Sequence, residues 1–238
     1  MVVLRSLIFL VCFYAWSVVV ALSMVPLLIA PVSWSVRYLH VWSSGINLLL
    51  RVICGIRVEI RGREFIPTGD AVVAAKHQCM LDVFVQFSAL PSAMFVMKKE
   101  LLMVPIFGWI GQKIGSVVVD REGGATALKK MVRDAQHQFD LAERQLVIFP
   151  EGTRGLPGQP GDYKPGIAAL YRELGKPVYP VATNAGVHWE ARGFLRRPGT
   201  IVFEFLEPIP PGLKRGEFMR VLETRIETAS NALLDQNL

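Results

Sequence analysis

From Ser6 to Val36 the chain runs for 31 residues without a formal charge, whereas roughly 20 apolar residues cover the hydrocarbon core of a bilayer. This segment is expected to meet lipid. Pro26 and Pro31 interrupt it, Arg5 and Arg37 bound it, and Trp16, Trp34 and Trp42 are spaced for interfacial positions. Two geometries fit: one crossing helix over about Leu7 to Leu28, or a hairpin that breaks at the prolines and returns through Val32 to Leu50. Positive charge at both ends favours the hairpin. A cleaved signal peptide fits less well, because Ala21-Leu22-Ser23 is a poor cleavage site and the apolar run continues past any h-region. Residues 1–56 are therefore expected to form a membrane-anchoring helical segment.

Residues 57–238 suit one domain with a full core. The 52% hydrophobic content of the 238 residues is above the soluble average, and the excess is concentrated before Arg57. A formal charge of +6 attracts anionic headgroups, phosphorylated metabolites, acidic carrier proteins and nucleic acid alike. No recognition helix, RNA-binding aromatic motif or zinc module is present, so nucleic acid is not an expected partner. The three cysteines, Cys12, Cys54 and Cys79, are too few and too scattered for a disulfide framework or a metal knuckle. His40, His137 and His188 suggest no ligand set, and no metal site is expected.

Beyond Arg57, short β-rich runs alternate with helical ones, which predicts an α/β architecture. The expected fold is a mixed sheet of about seven strands flanked by helices, preceded by the membrane-associated helical segment. The strands are placed at Arg57 to Arg61, Ala71 to Lys76, Ala93 to Met97, Ser116 to Val119, Gln145 to Phe149, Val178 to Val181 and Ile201 to Phe205. Helices are placed at Leu81 to Ala89, Ala125 to Glu143, Ile167 to Leu174 and Glu217 to Leu234. Apolar positions such as Leu128, Val132, Ala135 and Phe139 recur at three and four, as a core-facing stripe does. Gly155 to Gly161, rich in Gly and Pro, reads as a mobile loop.

Several of these strands end in residues that carry chemistry. Ala71 to Lys76 delivers His77 at a carboxyl end, where open α/β sheets bind ligands. Were His77 and Asp82 both mid-helix, their faces would diverge by roughly 140°. A turn between them, with Asp82 in the first turn of a helix, lets the carboxylate meet the imidazole. The pair then reads as a general base and its orienter, or as an Asp that merely favours a helix amino terminus. Cys79, two residues from His77, is either a small packing thiol or half of a Cys-His nucleophile. Gly115 to Arg121 is a strand ending in Asp120 and Arg121, where Arg121 clamps a phosphate or pairs with Asp120. Phe149-Pro150-Glu151-Gly152-Thr153-Arg154 again follows a strand, with a glycine for close backbone approach and a guanidinium fork at Arg154. Val178-Tyr179-Pro180-Val181 alone would pass for any buried strand.

Together these four blocks, H-x4-D at His77 to Asp82, G-x4-D-R at Gly115 to Arg121, F-P-E-G-T-R at Phe149 to Arg154 and V-x-P-V at Val178 to Val181, resemble the 1-acylglycerol-3-phosphate acyltransferases of the glycerolipid acyltransferase superfamily. Coverage runs from about Arg57 to Pro210. Lys76 stands before His77 where Asn is frequent, and Gly155 follows Arg154 where Ser is frequent.

The resemblance implies transfer of an acyl group from acyl-CoA or acyl carrier protein to the free hydroxyl of lysophosphatidic acid. His77 is then the general base and Asp82 its orienter. Arg121, Glu151, Gly152, Thr153 and Arg154 hold the glycerol phosphate, with Lys98 as a further candidate. It implies no cofactor beyond the donor thioester, membrane lipids as partners, and a membrane location with the catalytic domain on the cytoplasmic side. An acyltransferase for another lysolipid, such as lyso-ornithine lipid, and an idle lipid-binding membrane protein are the alternatives. Arg192, Arg196 and Arg197, interleaved with Trp189 and Phe194, either meet headgroups or the acidic carrier or form a solvated loop.

Overall fold

The computed structural model describes residues 1–120 and 123–235. The uncharged run becomes helix α1 (Val2–Met24), a single 3-10 turn at Val25–Leu28, and helix α2 (Val32–Leu49). Pro26 lies in the first turn of the 3-10 segment and Pro31 is the N-cap of α2, positions where an amide hydrogen would have no helical partner anyway. The chain thus takes the hairpin form. A last π turn, Leu50–Cys54, ends at Gly55, whose φ of 69° releases the chain into the first strand.

The hairpin lies along the rest of the molecule and is tied to it at both ends. Near the base, the backbone N–H of Arg196 donates to Ser6 Oγ at 2.8 Å. At the tip, Lys113 Nζ donates to the Leu28 carbonyl at 2.9 Å and to that of Ala30. Between these ties Phe9, Phe13, Val20 and Met24 are buried, while Leu7, Val11, Val18 and Leu22 on the other face of α1 are exposed.

Strands β1 (Ile56–Arg61), β2 (Ala71–Ala75), β3 (Ala93–Lys98), β4 (Val117–Val119), β5 (Gln145–Ile148), β6 (Val178–Thr183) and β7 (Gly199–Phe205) form one sheet in the order β1-β7-β6-β2-β5-β3-β4. Every neighbouring pair is parallel except β6 with β7, so the expected mixed seven-stranded sheet is what forms. Central β2 is apolar throughout because both its faces are covered. Val73 and Ala75 face the hairpin and helix α3 (Leu81–Ala89). Val72 and Ala74 face the layer built by helices that follow β4, β5 and β7. On the hairpin side the core is continuous: Phe9, Phe13, Ile46 and Leu50 pack in one cluster with Phe84, Phe203 and Phe205. Each such side chain contributes about 1.5–3 kcal/mol on burial, so the hairpin is bound to the sheet by the same force that holds the sheet together.

Two helices in the intervening segments escape the sequence reading, α4 (Phe107–Lys113) and, later, a single turn at Ala185–His188. Both are too short to show a period. The long expected helices are present as α5 (Gly124–Leu141), α6 (Pro165–Leu174) and, after the single turn α7 (Ala185–His188), α8 (Arg215–Asp235).

Candidate active site

Strand β2 stops at Ala75, the chain turns, and α3 begins at Leu81, which puts His77 beyond the sheet edge and Asp82 in the first helical turn. His77 Nδ1 lies 2.9 Å from Asp82 Oδ2. That oxygen also accepts the backbone N–H of Gln78 at 2.6 Å and of Cys79 at 2.8 Å. A buried polar group needs hydrogen-bond partners, and here the turn supplies two donors from the residues that follow the histidine. The imidazole stacks on Phe149, with ring centroids 4.1 Å apart and planes 18° from parallel. Nδ1 is engaged by Asp82, so Nε2 is the ring atom left for chemistry. His77 keeps 16% side-chain exposure while Asp82 has none.

Behind the histidine sits a second charged group. Glu151, in the segment expected at the phosphate, borders the same hollow, but Oε1 takes Lys76 Nζ at 2.6 Å and Oε2 takes the backbone N–H of His77 at 2.9 Å. Lys76 is 1% exposed, and its ammonium also reaches Glu227 on α8. Gly155 donates its N–H to the His77 carbonyl at 2.8 Å, and Lys76 donates to the Gln159 carbonyl at 3.3 Å. The Gly155 to Gly161 loop, expected to be mobile, is therefore pinned to Lys76 and His77.

His77 opens onto a cavity of about 1250 Å³. Its walls are mostly apolar, from Val18, Met24 and Trp42 of the hairpin through Ile110 of α4 to Leu128 and Met131 of α5. Gly152, Thr153, Arg154, Lys98 and also Lys164 line it, so cationic side chains and His77 share one space. Gly152 adopts φ 67°, a conformation that favours glycine. Arg154 is exposed and donates to the Ala191 carbonyl at 3.1 Å. Lys98 is exposed at the end of β3. Lys164, which the sequence reading missed, pairs with Asp162; only its place beyond the loop after Arg154 would have signalled it. Asp120, at the end of the G-x4-D-R block, pairs with Lys99 at 2.7 Å. Arg121 lies outside the described residues.

The backbone donors of Gln78 and Cys79 serve Asp82, and that of Gly152 donates to Phe149. Cys79 is buried, and burial together with the Asp82 charge pushes its thiol well up, the reverse of what a nucleophile needs. Arg196 does not reach outward. It is buried, with its guanidinium 4.0 Å from the Trp189 ring centroid and close to Phe9. Among the described residues no group of three or more His, Cys, Asp or Glu could hold a metal ion.

Residues 57–184 match the family described as acyltransferases. The chain is 37% identical over 177 residues to a 1-acyl-sn-glycerol-3-phosphate acyltransferase of Pseudomonas aeruginosa, covering 73% of this chain and 68% of that protein. It is 25% identical over 202 residues to the enzyme of the same description from Cocos nucifera, covering 83% and 65%. The chain thus spans about two thirds of the length of these relatives. Its fold is similar to the crystal structure of a 1-acyl-sn-glycerophosphate acyltransferase from Thermotoga maritima, with a TM-score of 0.80 over 98% of both chains at 20% identity.

Proposed function

The chain belongs to the 1-acylglycerol-3-phosphate acyltransferase family, and from that premise we propose that it esterifies the free hydroxyl of lysophosphatidic acid with an acyl group from acyl-CoA or acyl carrier protein, giving phosphatidic acid. The observation that carries this reading is the 2.9 Å contact of His77 with buried Asp82 at the mouth of an apolar cavity rimmed by Lys98 and Arg154.

An aliphatic hydroxyl is too weak an acid to ionise unaided at neutral pH. His77 Nε2 takes its proton as the oxygen attacks the thioester carbonyl, a contribution of about 10²–10⁴ in rate. Asp82 holds the imidazole by Nδ1 and stabilises the imidazolium that forms. The tetrahedral intermediate collapses with cleavage of the C–S bond, and the imidazolium proton passes to the departing thiolate. No covalent intermediate with the protein is required.

Arg154 and Lys98 hold the phosphate by charge-assisted hydrogen bonds; Gly152 and Thr153 shape the turn beneath it, and Arg121 completes the set. Glu151 belongs to the base and not to the phosphate, since a carboxylate facing that anion would repel it. The apolar cavity takes acyl chain, which would otherwise enter water at about 0.8 kcal/mol per CH₂.

The hairpin associates with the membrane along its exposed face. Its attachment at both base and tip favours lying in the interfacial plane over crossing. Arg5 and Arg51 at its base agree with a cytoplasmic placement of the catalytic site. The deciding experiment offers the purified protein, in detergent, lysophosphatidic acid or lyso-ornithine lipid with each thioester donor. Faster turnover of lyso-ornithine lipid would reassign the acceptor, and no turnover of either would leave a lipid-binding protein.

A further inference from the structure

Lys76 is among the largest fully buried side chains of the molecule, and its ammonium is surrounded by acceptors: Glu151 Oε1 at 2.6 Å, Glu227 Oε1 at 2.7 Å and Oε2 at 2.9 Å, and the Gln159 carbonyl at 3.3 Å. Tyr163 donates its hydroxyl to Glu227 Oε1 at 3.0 Å. Burial and the charges of Glu227 and Glu151 raise the Tyr163 phenol, keeping it a donor. Glu227 comes from α8, 151 residues from Lys76 in sequence. Glu151 leads onward, since its other oxygen holds the His77 backbone N–H. The loop closes one side of Glu151: a Cβ on Gly161 would lie 2.5 Å from its Oε1 and 2.6 Å from its Cγ.

One cation and two carboxylates withdrawn from water form an expensive way to fill a core, and apolar side chains of the same volume are often as stable or more so. What they supply in exchange is fixed geometry, because a fully satisfied buried network admits few arrangements. Here the network ends on the main chain of the catalytic base.

We propose that Lys76, Glu151 and Glu227 are positioning residues, a buried clamp through which the C-terminal helix α8 sets the placement of the His77 backbone and hence the aim of its ring. This rests on the reading of His77 as the general base. Lys76 is not among the residues that line the cavity, so the clamp is expected to act on turnover more than on substrate affinity.

The test measures kcat and both KM values on the full chain in detergent, with lysophosphatidic acid and a thioester donor, below the melting transition of each variant. Lys76→Met leaves buried Glu151 and half-buried Glu227 without a counter-ion, and kcat is expected to fall about tenfold or more, the scale set by sub-ångström misplacement of a reacting group. Both KM values should stay within about twofold, since the substrate-holding residues are untouched. Glu227→Gln keeps the shape and lowers kcat severalfold. Adding it to Lys76→Met removes the excess negative charge and should recover at least about threefold of the lost turnover. If Lys76→Met fails to fold, Glu227→Gln decides alone. A lowered melting temperature with kcat unchanged in the folded variants, or a rise in KM in place of a fall in kcat, overturns the clamp. His77→Ala is run beside them: if it turns over normally, the base and the clamp fall together, whereas an inactive His77→Ala beside fully active clamp variants refutes the clamp alone.

Discussion

Asp82 Oδ2 accepts from His77 Nδ1 at 2.9 Å while also taking the backbone N–H groups of Gln78 and Cys79. The carboxylate is therefore fixed by the same turn that presents the histidine, and neither partner can drift without breaking the other's contacts. Such a pair forms only when the segment between strand and helix is a turn, which is why five residues of separation suffice here and would fail inside a continuous helix.

His77→Ala removes the proposed base and Asp82→Asn the carboxylate proposed to steady its imidazolium. Each should lower kcat by about 10²–10⁴ with circular dichroism unchanged. Turnover near wild type in a folded variant of either would withdraw that residue's role.

Arg154→Ala and Lys98→Ala each delete a cation at the rim of the cavity. A charge-assisted hydrogen bond contributes about 1.5–3 kcal/mol, so KM for lysophosphatidic acid should rise by about tenfold or more, and that for the thioester little. An acceptor lacking phosphate should not feel either change. Equal effects on both acceptors would place these residues outside the phosphate site.

Cys79→Ala should keep kcat within about twofold and cost on the order of 1 kcal/mol, the usual scale for one truncated core atom. Alkylating reagents should leave the folded enzyme active. Because burial raises the Cys79 thiol in the folded state, only the unfolded chain ionises above about pH 8.5. The stability this residue contributes is complete below that pH and is lost as pH rises toward the folded value. Urea unfolding across that range should show a shallower alkaline decline in Cys79→Ala, and an identical slope would contradict the assignment.

Removing residues 1–54 strips Phe9, Phe13, Ile46 and Leu50 from a cluster they share with Phe84, Phe203 and Phe205. The remainder should lack a cooperative thermal transition even in detergent. A sharp, reversible melt for the truncated chain would show that the α/β portion folds alone.

The strands were legible because their apolar runs are short and bounded, and those at the sheet centre, such as Ala71–Ala75, carry no polar face. The contact of His77 with Asp82 is legible because its geometry is local, as is the turn of Gly152. What could not be read is what distant parts of the chain bring in. Glu227 shows in sequence as one more charge on an amphipathic helix, and nothing nearby announces that it meets Lys76. The one hint was Lys76 itself, a departure from the family pattern beside the histidine. Arg196 shows the same limit: beside Trp189 and Phe194 it reads as a headgroup or carrier contact or as part of a solvated loop, whereas it is buried, with its guanidinium over Trp189 and near Phe9 of α1. Glu151 reads in sequence with its motif neighbours, and its contact with Lys76, 75 residues away, is again one that only the fold supplies.

The ties at Ser6 and Lys113 fix how the hairpin and the sheet move. A hairpin that shares its interior with the sheet cannot swing away from it, so whatever seizes the outer face of α1 orients the His77 ring as well. The two travel as one piece, and the tilt of one is the tilt of the other.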